Sequence, residues 1–208
     1  YGDLYLTGAE GRVLHRCFGG WQAPPPSGDV YASLVRRNYI PVHAVLWRRT
    51  VLEAAGGFPE KGLATEDWHL LIRAAETSRA QYVDELVGYY RLHGHNMTLD
   101  QTAQTTGAGL TQAYIANSSR FKQLPAPFRS RVLCDFAREQ WLYGNPALAR
   151  TLLALAQETE PASLRVVFTR SFMNMGQRSG RWLMRSYWRL RPYLRRRSSL
   201  ADYFLAKA

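Results

Sequence analysis

Strand-like patterns stop near residue 96 of this 208-residue chain, and that change restricts the folds open to it. Before that point, short β-branched or alternating segments are interleaved with segments of helical spacing, which is typical of an α/β fold. After it, every segment has helical spacing and the breaks fall at prolines. We therefore expect an α/β part over 1–98, a helical hairpin region over 99–160 and an Arg-rich amphipathic tail over 161–208.

The α/β part begins with a predicted hairpin, in which the runs YGDLYLTG and RVLHR flank a turn at residues 9–11. The consecutive prolines at 24–26 exclude helix and central strand and predict a surface loop. A short helix ending at Asn38 follows. The segment IPVHAVLWR is apolar and β-branched, which predicts a buried strand.

The rest of the α/β part has two helices and two strands by pattern. The helix RTVLEAAGG should stop at Gly56 and Gly57, because glycine tolerates the left-handed backbone of a helix end. Thr65 is suited to cap the next helix. Its apolar face comprises Trp68, Leu71, Ile72 and Ala75, so Trp68 is expected in the core. AQYVDE and LVGYYRLHG read as strands, and alternation along the second places His93 and His95 on one side.

Composition excludes several classes of protein. A hydrophobic content of 46%, with 6 Trp, 12 Tyr and 8 Phe, argues for a folded core and against disorder. No apolar run reaches the roughly 18 residues of a spanning helix. Cys17 and Cys134 have no cysteine near them, which excludes a paired-cysteine metal knuckle and indicates a reducing, cytoplasmic location. Because the chain begins at Tyr1 without a signal segment, we expect a piece of a longer protein.

Five motifs occur in a fixed order between residues 48 and 98. They are RRTVLEAAGGFPE, TEDWHLLIRAA, QYVDE, GYYRLHG and HNMT. Together they resemble the acceptor half of bacterial family 2 glycosyltransferases, which have the GT-A fold, and the resemblance covers residues 1–98. The opening segment YGDLYLTGAEGRVL resembles the strand and hairpin that follow the DxD motif in that family.

The sequence also departs from the family pattern, because it contains no DxD motif. The nucleotide-binding strands and helices that precede DxD in the family are absent as well. The resemblance therefore implies a partial GT-A sheet domain followed by helices. In this interpretation the chain is the acceptor side of an inverting glycosyltransferase and is inactive alone. Its substrates would be a nucleotide-diphosphate sugar and a glycan or lipid-linked acceptor.

The resemblance implies that Asp67 is the general base, which accepts the proton of the attacking acceptor hydroxyl. Glu66 would orient acceptor hydroxyls beside it. By position alone, two acids in a first helical turn also fit a simpler role, since they complement the helix dipole. Both interpretations remain open from the residues themselves.

His93, in the YRxH segment, is implied by the resemblance to complete the coordination of a divalent metal, Mg²⁺ or Mn²⁺. The absent DxD would hold that metal chiefly. His95 stands at HxH spacing and is the weaker candidate ligand, and either histidine could instead be packed or solvated. Arg91 fits contact with phosphate or a structural ion pair.

Gly56, Gly57 and Phe58 fit a sugar-acceptor pocket, because a loop without Cβ atoms admits a ligand and an aromatic face stacks on a sugar. A plain helix stop followed by a buried Phe58 fits equally.

After residue 100, two helices around Gly144, Asn145 and Pro146 resemble one tetratricopeptide-type hairpin. The alternative is an ordinary hairpin packed on the rest of the chain.

The positive charge of the chain is concentrated at its end. Residues 1–160 contain 16 basic and 15 acidic side chains, whereas residues 161–208 contain 11 basic side chains and only Asp202. Arginine interleaved with aromatic residues predicts peripheral binding to an anionic membrane surface through residues 178–197. A solvated helix is the alternative for this segment. For the chain as a whole, a basic nucleic-acid-binding protein and a helical interaction module that docks partners through residues 100–160 remain as alternatives.

Overall fold

The computed structural model describes residues 1–21, 23–59 and 64–183. A small sheet contains β1 (Asp3–Thr7), β2 (Val13–Arg16) and β3 (Leu86–Arg91) in the order β2-β1-β3. Strand β1 is antiparallel to β2 and parallel to β3. The described helices lie between these strands or after them along the chain, so the prediction of a mixed α/β chain with a helical second half is confirmed.

The predicted hairpin is present. Tyr5 of β1 is opposite Arg16 of β2, and the chain turns between the strands as expected. The buried Asp3 carboxylate fixes the hairpin, because it accepts hydrogen bonds from Leu4 N at 2.7 Å and Phe18 N at 3.1 Å. It also pairs with Arg16 Nε at 2.7 Å. A buried carboxylate needs such partners to offset its desolvation.

Two predicted strands are not found. IPVHAVLWR forms a 3₁₀ turn at Val42–Ala44 instead, and Ala44 O accepts a hydrogen bond from Gly2 N, just before β1, at 3.0 Å. Pro41 has no N–H for a ladder, and the side chain of Leu46 is 96% exposed. AQYVDE makes an isolated bridge between Gly28 and Ala80 rather than a strand.

The helices of the α/β part lie close to their predicted positions. They are α1 (Tyr31–Arg36), α2 (Arg49–Ala54) and α3 (Glu66–Thr77). Gly56 and Gly57 follow α2 with φ of 73° and 65°, which confirms the predicted glycine stop. Thr65 occupies the position before α3, but its side chain makes no capping hydrogen bond there. That part of the prediction is wrong.

The helical half contains α4 (Gln101–Asn117), α5 (Ser119–Lys122), α6 (Ala126–Tyr143), α7 (Pro146–Thr159) and α8 (Leu164–Asn174). Helices α6 and α7 form the predicted hairpin. Asn145 caps α7, because its Oδ1 accepts from Ala147 N at 2.9 Å and Leu148 N at 3.2 Å.

One hydrophobic core joins the two halves of the chain. It contains Trp68 from α3, Ile115 from α4 and Phe136 from α6. The rings of Trp68 and Phe136 meet edge to face at 6.0 Å, and Trp68 Nε1 donates to Leu34 O at 2.9 Å. The prediction of Trp68 as a core residue is confirmed, and α4 and α6 form one layer against α3.

A buried polar contact sets how α4 lies on α6. The Gln140 side chain is fully buried and donates to Thr105 O and to Gln112 Oε1, both at 2.8 Å. Its own oxygen accepts from Asn145 N at 3.0 Å. Because an unpaired buried amide would cost roughly 1–3 kcal/mol, this network favours one position of α4 along the hairpin.

The basic region starts with α8, and residues 177–183 are helical too. Of the predicted membrane segment 178–197, residues 184–197 lie outside the described residues. Within the described ranges, none of the helices combines the length and the apolar character needed to cross a membrane.

Candidate functional site

The first turn of α3 lies beside two loop segments that are distant in sequence. Asn38, just after α1, donates from Nδ2 to Asp67 Oδ1 at 3.2 Å. His43, in the 3₁₀ turn, stacks on the Tyr90 ring of β3 with centroids 5.5 Å apart. Burial lowers the pKa of His43, and the nearby Asp67 carboxylate opposes that shift. Asp67 therefore belongs to a polar cluster that α3 forms with Asn38 and His43 of the two loop segments.

The Asp67 carboxylate is half-buried. Burial raises its pKa above the ordinary value, and the neighbouring Glu66 adds to the rise. Hydrogen bonds from Trp68 N at 2.6 Å and from Asn38 oppose the shift and hold the carboxylate in place. A positioned carboxylate with a raised pKa is a stronger base than a solvated one.

Several polar atoms around Asp67 are buried and have no hydrogen-bond partner among the described residues. They are Asn38 Oδ1, Thr65 Oγ1 and Glu66 Oε2. Buried polar atoms are normally paired, so each such atom calls for an explanation. Asn38 Oδ1 and Glu66 Oε2 are acceptors, and together they suit a ligand that carries hydroxyl groups.

Helix α4 holds the start of α3, and the sequence analysis did not identify this support. Gln104 Nε2 donates to Ala64 O at 3.0 Å and to Met97 O at 3.3 Å. A Cβ at Gly107 would lie 3.0 Å from Ala64 N. The helix can approach this closely only because Gly107 has no side chain. In the sequence, the two glycines of α4 at positions 107 and 109 are the signal for this close approach.

The predicted pocket residues Gly56, Gly57 and Phe58 lie at the end of α2. A Cβ at Gly56 would clash with the guanidinium of Arg73, so this loop packs on the third turn of α3. Arg73 is six residues after Asp67, which is about 9 Å along a helix. The Phe58 side chain is 49% exposed, so the alternative of a buried Phe58 is wrong. Its role in sugar stacking stays a prediction.

His93 and His95 lie in an exposed turn after β3, because the strand ends at Arg91. The expectation that strand alternation aligns them is therefore wrong. His95 N donates to His93 Nδ1 at 3.2 Å, and the ring centroids are 6.3 Å apart. Asn96 closes the turn, since its side chain accepts from His93 N and donates to Arg91 O at 3.0 Å.

This pair does not by itself fit a divalent metal. The Nδ1 atom of His93 is already an acceptor for His95 N–H, and a metal needs further ligands. Among residues 1–21, 23–59 and 64–183, no group of three or more His, Cys, Asp or Glu side chains could surround an ion. No step of the chemistry below is therefore routed through a metal.

Arg91 is exposed at the end of β3 and lies opposite Thr7 of β1. Ion pairs within the described part of the chain involve Arg16, Arg120 and Arg138, and not Arg91. The structure therefore does not support the alternative of a structural ion pair. Contact of Arg91 with phosphate stays a prediction.

A shallow cavity of about 550 Å³ lies between α3 and α4, away from Asp67. Its lining includes His69, Glu76 and Tyr114. Tyr114 OH donates to Glu76 Oε2 at 2.6 Å, and His69 Nδ1 is 3.3 Å from Thr111 Oγ1. Because these polar side chains already have hydrogen-bond partners, the Asp67 cluster is the better candidate for a ligand site.

Comparison of the chain with protein-family models, curated proteins and solved structures found no match in any of the three.

Proposed function

We propose that this chain is the acceptor-side part of an inverting glycosyltransferase that resembles family 2 and has a GT-A-type sheet. The reaction transfers a sugar from a nucleotide-diphosphate sugar to a hydroxyl of a glycan or lipid-linked acceptor. The ordered motifs over 48–98 suggest the family. The observation that carries the proposal is the half-buried Asp67 carboxylate, held at a helix start beside the unpaired acceptors Asn38 Oδ1 and Glu66 Oε2.

In this mechanism Asp67 accepts the proton of the acceptor hydroxyl as its oxygen attacks the anomeric carbon. A new carbon–oxygen bond forms while the bond to the nucleotide diphosphate breaks, and the electron pair leaves with the diphosphate. Attack from the face opposite the leaving group inverts the anomeric centre. The raised pKa of Asp67 supports the role, because a carboxylate with a higher pKa is a stronger base.

Positioning of the base comes from two sides. Asn38 donates to Asp67 Oδ1 and leaves the other carboxylate oxygen for the hydroxyl. Glu66 Oε2 offers a second acceptor, so a sugar with neighbouring hydroxyls would contact both acids. Gln104 ties Ala64, before α3, to Met97, after the histidine turn. The acceptor side is thereby one connected unit.

The donor side is expected outside this chain. In the family that the motifs resemble, a DxD motif and a preceding nucleotide-binding half hold the sugar nucleotide. A divalent metal held there would supply positive charge next to the diphosphate. His93, His95 and Arg91 remain proposed contacts to that side. We expect the chain alone to bind sugar nucleotide weakly and to be inactive.

The direct test is acceptor binding by the chain itself. Saturation-transfer NMR with a panel of mono- and oligosaccharides should find a sugar that binds the wild type. Asp67→Asn should weaken that binding about 10-fold or more, because a hydrogen bond to a charged group contributes roughly 1.5–3 kcal/mol. Asp135→Asn is the matched control, since Asp135 is exposed on α6 and pairs with Arg138.

Two results would contradict the proposal: no bound sugar in the panel, or equal affinity in wild type and Asp67→Asn. A second measurement uses the longer protein in which a DxD-bearing half precedes this sequence. There Asp67→Asn should lower turnover by about 10²–10⁴ while nucleotide affinity hardly changes. Undiminished turnover would exclude Asp67 as the base.

A further inference from the structure

Helix α8 has two apolar faces, and one of them faces solvent. Val166, Phe172 and Met173 are buried in the core. The outer face carries Leu164, Val167, Phe168 and Met175, at the spacing i, i+3, i+4 and i+11 of a continuous helical stripe. Leu164 is 84% exposed and Phe168 is 59% exposed. Large apolar side chains grouped in this way mark an interaction surface.

The helical residues 177–183 extend this stripe. Gln177 Nε2 donates to Trp141 O at 2.9 Å, and Arg181 Nε donates to Leu142 O at 2.7 Å. These bonds satisfy carbonyls in the last turn of α6, which would otherwise lack partners. They tie residues 177–183 to the end of α6, and the Trp182 side chain of this segment is 70% exposed. A cavity of about 440 Å³ lined by Met175 and Trp182 links the two segments.

Cationic side chains surround the stripe. Arg165, Arg170 and Arg178 are exposed on or next to α8, and the sequence from 161 to 201 contains ten Arg and no acid. Apolar side chains that insert below the headgroups, with arginine at the level of the phosphates, are the pattern of an interfacial helix. The charge is therefore complementary to an anionic bilayer.

We infer that Leu164, Val167, Phe168, Met175 and Trp182, here termed the α8 surface, lie on the interface of an anionic lipid membrane. Nucleic acid is disfavoured as occupant, because exposed Leu and Met gain nothing from a phosphate backbone. A second copy of the chain is disfavoured too, since pairing two such faces would bring arginines together without an acid between them. The inference is independent of the proposed glycosyl transfer.

The α8 surface also changes where the membrane contact begins. The sequence analysis expected binding through residues 178–197, driven mainly by arginine. The exposed stripe starts at Leu164, on a helix whose other face belongs to the core. A docked α8 therefore fixes the orientation of the folded chain on the membrane, which an Arg-rich terminal segment alone would not do.

The test is co-flotation of the whole chain with phosphatidylcholine vesicles, with and without phosphatidylglycerol. The variant Leu164→Gln/Phe168→Gln should lower partitioning onto the anionic vesicles about tenfold or more. Leu46→Gln is the matched control, because Leu46 is as exposed as Leu164 but lies before α2, and it should bind like wild type. Equal thermal unfolding of all three proteins shows that the folds are intact.

Salt and competitor arms separate the sources of binding. At about 1 M salt, where the Debye length is near 3 Å, wild type should keep a weak residual binding that the double variant lacks. Single-stranded DNA should bind both proteins equally, as a polyanion. Equal vesicle binding by wild type and the double variant would overturn the inference. So would loss of all wild-type binding in high salt, or lipid-free dimerisation that the double variant abolishes.

Discussion

Replacing Gly107 by alanine tests how α4 supports the start of α3. A Cβ at this position would lie 3.0 Å from Ala64 N and 3.3 Å from Thr65 N. Both neighbours are backbone atoms and cannot rotate away as a side chain would. The matched control is Gly109→Ala in the same helix, where the new Cβ would meet the ends of Gln140 and Leu148 at 3.4 Å, an ordinary contact.

Both substitutions gain about 0.8–1 kcal/mol of helix propensity, because alanine is the better helix former. Only Gly107→Ala adds an overpacked contact, which costs typically 1–3 kcal/mol. The free energy of unfolding of Gly107→Ala should therefore be about 1–3 kcal/mol below that of Gly109→Ala. For a chain of this size the melting temperatures should differ by roughly 2–12 °C.

Differential scanning calorimetry of wild type and the two variants measures this difference. Gly109→Ala should melt at or above the wild-type temperature, and Gly107→Ala below it. Sugar binding should fall in Gly107→Ala and not in Gly109→Ala, since Thr65 is adjacent to the two acids. Equal melting temperatures for the two variants would refute the close approach of α4 to residues 64 and 65.

Two further predictions concern titration and metal. Asp67→Asn should raise the melting temperature near neutral pH, because burial raises the Asp67 pKa and the ionised form destabilises the fold. The contribution of this group to wild-type stability falls as pH rises from about 3.8 through the raised folded-state pKa. The gain in Asp67→Asn should therefore grow over that interval and level off above the folded-state pKa. A gain independent of pH would contradict this cause. In a longer protein that carries the proposed DxD half, His93→Ala should raise the metal concentration for half-maximal activity more than His95→Ala. Unchanged metal dependence in both variants would exclude both histidines as ligands.

The sequence predicts those secondary-structure elements whose conformation is determined by residues close together in the chain. The β1–β2 hairpin has its turn between two strand-like runs, and α2 ends at two glycines with positive φ. Helix α3 begins at Glu66, directly after Thr65. The sequence predicts this helix because its apolar side chains repeat at helical spacing. In each case the local pattern and the tertiary contacts favour the same conformation.

The segment IPVHAVLWR shows where local pattern fails. Apolar and β-branched residues favour a strand, but a strand also needs a partner with free backbone groups. Pro41 cannot donate, and β1 is already paired on both edges with β2 and β3. Nothing in the sequence of this segment indicates that both edges of β1 are already paired.

Of the residues in the candidate site, the sequence predicts only the two acids, Glu66 and Asp67. Asn38, His43 and Gln104 come from three separate segments, and each meets Asp67 or its loop through tertiary packing. An isolated Asn or His in a loop carries no signal of such a contact. The support from α4 crosses the boundary near residue 100, at which the sequence pattern suggested a division.

The parallel pairing of β1 with β3 has a consequence for synthesis of the chain. The partner of Thr7 is Arg91, so about 80 further residues must be synthesised before β3 can cover the second edge of β1. At about 5–20 residues per second, this takes roughly 4–16 s. Meanwhile it can form only the hairpin with β2, and an isolated hairpin is marginally stable. Open strand edges template association between chains. Products that terminate before Leu86 should therefore aggregate rather than persist as soluble fragments.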